Sequence, residues 1–233
     1  FRSTKTVVIV GALDTKGQEF AFIKKLIEET GLQTLVVDFG VLGAPAFTPD
    51  IPREEVVKAG SGDLQALASG EHKDAAMQVM ARGLAVIVDQ LYTAGRLDGI
   101  LGMGGTGGTS IATTAMRALP VGVPKLMLST VGGGDVSPYA GAKDISFMPS
   151  VVDVAGFNSI SQRIYTNAAG AIAGMVQMKA PAAQESKPLI TASMFGNTTK
   201  CVDHARAILE THGYEVLVFH ATGTGGRTME ELV

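Results

Sequence analysis

Apolar residues in this chain fall into two alternating patterns, short unbroken runs and longer stretches with a helical period. "KTVVIVGAL" (5–13) is an unbroken β-branched run closed by glycine, the pattern of a strand buried on both faces. "TKGQEFAFIKKLIEETG" follows, with Phe20, Ile23 and Ile27 at helical spacing and Gly31 as its stop. "QTLVVDFG" is a second run, reaching Asp38. Strand, helix, strand makes a βαβ unit, and its crossover sets the two strands parallel. Residues 40–62, with Pro45, Pro49 and Pro52, read as loop. A long helix is predicted over 71–94, apolar at Ala76, Val79, Met80, Leu84, Ile87 and Leu91. "LDGILGMG" is the third strand, 110–119 a helix, "VPKLMLST" the fourth strand and "DISFMPSVVDVAG" the fifth. A closing helix spans 158–178.

Beyond residue 180 the pattern breaks and restarts. Residues 181–188 are polar and Ala/Pro-rich and read as a linker. Residues 187–226 then lie ungapped on 5–44, pairing Lys5 with Lys187, Glu28 with Glu210, Gly31 with Gly213 and Gly43 with Gly225. Duplication of an α/β domain explains this, and so does the general likeness of βαβ units. The expected fold is therefore α/β, two tandem Rossmann-like subdomains with parallel sheets. Residues 1–180 form the first, and 189–233 begin a second that is truncated. Phe1 at the start and "GGRTMEELV" at the end, a helix just begun, point to a longer parent chain.

Composition narrows the partners. The chain has no tryptophan and only 6% aromatics, so its core is aliphatic and methionine-filled, as in a sheet covered on both faces. A net charge of −3 without a basic stripe disfavours nucleic acid. The lone Cys201 excludes a disulfide framework and a Cys-rich zinc site, and a reducing cytoplasm is the expected setting. No apolar run approaches the about 18 residues of a membrane span.

The candidate chemistry lies in glycine-rich stretches after the strands. "GMGGTGGT" puts five glycines into the seven residues 102–108. A helix that begins there turns unpaired N–H groups and a partial positive charge outward, which suits an anion. Gly102, Gly104, Gly105, Thr106, Gly107, Gly108 and Thr109 are thus candidates to hold phosphate, with Thr130, Gly132, Gly133 and Gly134 on the next loop. The stretch matches G-x-G-x-x-G, yet no acid follows at the distance at which a dinucleotide fold holds ribose. The Walker pattern is absent too, so the site is a non-standard glycine nest.

Asp14, Thr15 and Lys16 open the first helix and are candidates for phosphate or Mg²⁺, although Asp14 or Thr15 serves equally well as a cap. Asp38, 21 residues after Gly17, has the spacing of a ribose-binding acid, or it bonds a neighbouring amide. Asp135 follows three glycines and faces a metal ion or closes a turn. His72, His204, His212 and His220 have no metal spacing, and Ser129, Ser137 and Cys201 lack a nucleophile's context.

"VGALDTKGQEF", "GMGGTGGT" and "STVGGGDVSPYAGAKDI" together resemble a bacterial, fungal and plant family that contains the tomato mosaic virus resistance protein. The resemblance runs from Thr6 to the C-terminus. It implies two consecutive Rossmann-like subdomains, ATP binding by the first and a tendency to form homodimers. The expected function is therefore nucleotide (ATP) binding, with Mg²⁺. Two rivals use the same loops: an enzyme acting on a phosphorylated or carboxylated metabolite, and a nucleotide-regulated module with a protein partner.

Overall fold

A computed structural model of the chain describes residues 4–62, 73–179 and 187–232. His72 and residues 181–186 of the expected linker lie outside the described residues. The chain divides into two compact units, Phe1–Met178 and Lys179–Val233.

The first unit runs β1 (Thr6–Gly11), α1 (Leu13–Glu29), β2 (Gln33–Asp38), α2 (Arg53–Ala59), α3 (Lys73–Thr93), β3 (Gly99–Gly104), α4 (Thr106–Ala118), β4 (Lys125–Ser129), α5 (Ser137–Ala140), β5 (Ser146–Pro149) and α6 (Ser159–Gln177). Its five strands form one parallel sheet in the order β2-β1-β3-β4-β5. All of β1 and β3 is buried, which is why those segments read as continuous apolar runs. On one face, Phe20, Ile23 and Ile27 of α1 pack with Tyr165, Ile172 and Val176 of α6 against Val7, Ile9 and Leu101. On the other, α2, α3 and α4 cover Val8, Val10, Ile100 and Met127. Of the predicted stripe on α3, Ala76, Met80, Leu84, Ile87 and Leu91 are buried and Val79 is half-buried, and Val88 joins the buried set.

Two local expectations change. Residues 40–62 contain a helix, α2, which starts after Pro52, carries Glu54 and Glu55 in its first turn and Lys58 in its last, and buries Val56 and Val57. That charge order complements the helix dipole and outweighs the prolines, all of which precede the helix. The fifth strand is only Ser146–Pro149, because Val151 turns the chain with φ +64°.

The second unit runs β6 (Leu189–Met194), α7 (Thr199–Thr211), β7 (Glu215–His220) and α8 (Thr224–Leu232). β6 and β7 pair in parallel.

Candidate functional site

β1 and β3 are neighbours whose following helices, α1 and α4, go to opposite faces of the sheet. Their carboxyl ends therefore bound the topological switch point, where doubly wound sheets open a crevice.

On the β1 side the carboxylates are largely committed to main chain. Asp38 is 1% exposed, and its Oδ1 accepts from the amides of Leu13 at 3.0 Å and Gly40 at 2.8 Å. No side chain of α1's own N-cap, Ala12, is available, so Asp38 satisfies the helix's first amide from the neighbouring strand. Burial pushes the Asp38 carboxyl above its ordinary range, while the two amides pull it back. The acid with ribose spacing is thus occupied inside the fold.

Asp14 does not cap its helix either. Its Oδ2 accepts from Leu42 at 2.7 Å and Gly43 at 3.1 Å, and its Oδ1 is buried with no partner. A Cβ at Gly40 would fall 2.5 Å from that Oδ1, so only glycine lets the loop close over Asp14. Arg53 braces the same loop by donating to the carbonyls of Gly40 and Gly43. Thr15 is exposed. The Lys16 ammonium donates to the carbonyl of Val154, and the residue's own φ −134° and ψ 22° kink the start of α1.

On the β3 side the supposed loop is a one-residue junction. Gly102 and Gly104 belong to β3, Gly105 alone links strand to helix, and Gly107 and Gly108 lie in the first turns of α4. The five glycines separate by what a side chain would meet. At Gly102 a Cβ would lie 2.9 Å from Ala112 Cβ and 3.0 Å from Met127 Sδ, and at Gly104 it would lie 3.3 Å from Gly108 Cα. These two are glycine because strand and helix pack tightly there.

Gly105, Gly107 and Gly108 have room. Their nearest neighbours would be Thr130 Oγ1 at 3.7 Å, Met77 Cε at 3.5 Å and Met103 O at 3.7 Å, all ordinary contacts. None of the three has positive φ. Glycine inside a helix costs about 0.5–1 kcal/mol against alanine, so neither packing nor backbone geometry accounts for Gly107 and Gly108, while Gly105 takes the N-cap, a position that favours glycine without requiring it.

The first helical bond of α4 is Thr109 N to Gly105 O at 2.8 Å, and no side chain caps the amides before it. Thr106 is exposed beside them. Thr109 is fully buried, and its hydroxyl meets the Ser129 hydroxyl at 2.6 Å. That pair ties α4 to the end of β4, so Thr109 does not face the crevice.

The β4 loop completes this side. Thr130 is exposed, and its amide donates to Gly104 O at 3.2 Å. Gly132 passes so close to β5 that a Cβ would lie 3.1 Å from Met148 O, whereas Gly133 and Gly134 are exposed with space around them. Asp135 closes a turn. Its Oδ1 accepts from the Ser137 hydroxyl at 2.6 Å and amide at 3.0 Å, which holds its carboxyl below the usual range. Among the described residues no group of three or more His, Cys, Asp or Glu is arranged to hold a metal.

One feature had no sequence signal. A groove of about 560 Å³ runs between α3 and α4, lined by Asp74, Met77, Gln78, Ala81, Arg82, Ser110 and Thr114. Its lining residues recur every three or four positions on each helix, a spacing that in sequence is indistinguishable from a solvated face.

A five-stranded parallel sheet with helices on both faces and its switch point between β1 and β3 defines a doubly wound α/β protein of Rossmann-like class. Within that class the chain belongs to the "Uncharacterised protein family (UPF0261)", matching its N-terminal domain over residues 5–181 and its C-terminal domain over 187–233. A UPF0261 protein of Clostridium tetani is 52% identical over 98% of this chain and 57% of its own length. One from Mesorhizobium japonicum is 42% identical over 98% of this chain and 56% of its own. The tomato (Solanum lycopersicum) ToMV resistance protein Tm-1(GCR237) is 42% identical over 68% of this chain and 22% of its own length. The chain thus spans little more than half the length of the bacterial relatives. Among solved structures, UDP-N-acetylglucosamine 2-epimerase from Rickettsia bellii is similar at 13% identity and a TM-score of 0.39, covering 98% of this chain and 67% of that one. No described helix is long and apolar enough to cross a membrane.

Proposed function

We propose that the first unit binds a nucleotide, ATP or a close relative, with its phosphates on the first turn of α4. The carrying observation is that Gly105, Gly107 and Gly108 are free of any packing or conformational need for glycine, at the uncapped start of a helix beside the switch point. Side-chain-free backbone with unpaired amides is what close approach of a phosphate needs. Thr106 adds an exposed hydroxyl, and Thr130 with Gly133 and Gly134 borders the same side.

The donor set also fits a cation that arrives with the phosphates. Mg²⁺ keeps several waters and takes one or two carboxylates besides phosphate oxygens. Asp14, whose Oδ1 has no partner, is the carboxylate with capacity to spare. Asp135 is engaged by Ser137 and has no such role in this reading. A homodimer and a cytoplasmic setting belong to the same proposal. The family resemblance supports the first, and the single, exposed, free Cys201 supports the second.

Calorimetric titration of the protein with Mg-ATP tests the reading. Gly105→Val should weaken binding about tenfold or more, ~1.4 kcal/mol, with a stability loss no larger than the ~1 kcal/mol of a poorer N-cap. Absence of binding at millimolar nucleotide overturns the proposal, as does unchanged affinity in the variant.

A further inference from the structure

We propose that the groove between α3 and α4 receives the nucleoside half of the ligand whose phosphates sit on the first turn of α4. This rests on the nucleotide reading above and extends it to a second subsite. The groove's volume of about 560 Å³ lies within the range of small-molecule sites. Its walls present a carboxylate at Asp74, an amide at Gln78, a guanidinium at Arg82 that also donates to Gly60 O at 3.4 Å, and a hydroxyl at Ser110, beside the thioether of Met77. The Thr114 hydroxyl is engaged within its own helix, donating to Ser110 O at 2.8 Å and accepting from Arg117 Nη2 at 3.1 Å. Donors and acceptors suit ribose hydroxyls and base edges, and the polarizable Met77 suits the face of a base.

Gly107 connects the two subsites. A Cβ there would make an ordinary contact with Met77, 3.5 Å from its Cε, so glycine at this position places the α4 backbone directly beside a groove-lining residue with no side chain between them. Ser110 lies one turn further along, at i+3 from Gly107 and in the groove wall. On the opposite side of the crevice Asp38, the acid with ribose spacing, is buried and already accepts two amides. The structure therefore offers the sugar hydroxyl-bonding groups on the α3 side and not on the β2 side.

The test compares Mg-ATP with inorganic tripolyphosphate, which carries the phosphates without a nucleoside. Gln78 is exposed, so Gln78→Trp fills the groove without disturbing the core. Gln78→Trp should weaken ATP about tenfold and change tripolyphosphate less than about twofold, with the thermal midpoint unchanged. Arg82→Ala serves as a second variant and should show the same selectivity with a smaller, about fivefold, loss of ATP. Equal affinity of the wild type for ATP and tripolyphosphate overturns the groove assignment while leaving the phosphate seat standing. So does a variant that keeps its ATP affinity or loses both ligands together. If the wild type binds neither, the nucleotide reading falls and the groove assignment falls with it.

Discussion

The chain builds the same strand–helix–strand pattern twice, β1–α1–β2 and β6–α7–β7, and surrounds it differently. Both strand pairs are parallel over six residues. A bond just past the second strand closes each pair, Phe39 N to Gly11 O at 2.9 Å and Ala221 N to Met194 O at 2.9 Å, with Met194 one residue beyond the ungapped counterpart of Gly11. In the first unit β3 flanks β1, helices cover both faces and every β1 residue is buried. In the second, β6 and β7 form a two-stranded sheet, and Val216 is the only buried apolar residue among those described. Backbone pairing is local and recurs; burial is not, and burial forces polar groups into defined partnerships. Asp38 anchors the start of α1 in the first unit, whereas its counterpart His220 only packs its ring against Phe195, 5.7 Å between centroids.

The largest expected contrast lies between the ion pairs of the two units. Lys125 is fully buried, with Nζ donating to Asp144 Oδ1 at 2.7 Å, Pro120 O at 2.7 Å and Val123 O at 2.8 Å. Asp144→Ala strips the buried ammonium of its counter-charge. The Asp144 side chain is itself 40% exposed, so water screens part of the loss. The cost should be about 3 kcal/mol in urea unfolding, the low end for a broken buried pair. Glu210→Ala breaks the exposed Arg206–Glu210 pair and should leave the unfolding midpoint where it is. Equal effects would mean that burial is not what separates the units.

The pH dependence sharpens the same contrast. Burial opposes ionisation of Asp144, but bonds from Lys125 and the Gly122 amide outweigh it, and its pKa is lowered on folding. Its contribution is therefore present above the ordinary carboxylate range and is lost as pH falls through the lowered folded value. The cost of Asp144→Ala should shrink as acid is added.

Next in size is Asp38→Ala, which leaves the Leu13 and Gly40 amides without their acceptor. One such loss costs about 1–3 kcal/mol, and the pair should cost about 3 kcal/mol, against under about 0.5 kcal/mol for His220→Ala. Asp38→Asn keeps an accepting oxygen and should lose less than about 1 kcal/mol. Here the pH sign reverses. Because burial raises the Asp38 pKa, the folded state holds its proton more tightly than the unfolded one. Wild type should gain on Asp38→Asn as pH falls from the raised value into the ordinary carboxylate range. An Asp38→Ala variant as stable as wild type would reduce the acid to a bystander.

Much of the first unit is legible in sequence because it depends on period. The run at 6–11 and the stripe of Ala76, Met80, Leu84, Ile87 and Leu91 follow from which face each residue takes, and the structure buries them, with Val79 of the same stripe half-buried. The site resists such reading because it depends on direction and distance. Gly102 and Gly107 are identical in the string, yet a Cβ on one would crowd Ala112 at 2.9 Å and on the other would make only an ordinary contact with Met77 at 3.5 Å. Asp38 reaches the crevice end of the sheet as its spacing predicts, but the start of α1 decides which way its oxygens are used. Ser129, set aside as a nucleophile, partners Thr109 twenty residues away, and no spacing rule announces that pair.

The smallest effect concerns backbone strain, which the two units also treat differently. In the second unit the residues at positive φ are the glycines Gly213 and Gly223. In the first, Val151 holds φ +64°, and Val152 N bonds Ser150 O at 2.6 Å, making Val151 the centre of a tight γ-turn of the strained kind. Neighbours impose it. Ser150 is buried, its amide donates to Ser129 O at 3.0 Å, and its hydroxyl donates to Val152 O at 2.6 Å. A β-branched residue pays about 1–3 kcal/mol in such a conformation, and glycine would return about 0.5–1 kcal/mol of that as lost chain entropy. Val151→Gly should therefore raise stability by about 1 kcal/mol and the thermal midpoint by about 2–4 °C. Since the Val151 side chain is 76% exposed, little packing is lost to offset the gain. A destabilised Val151→Gly would mean that the strain argument is wrong and the exposed side chain contributes more than its surroundings show.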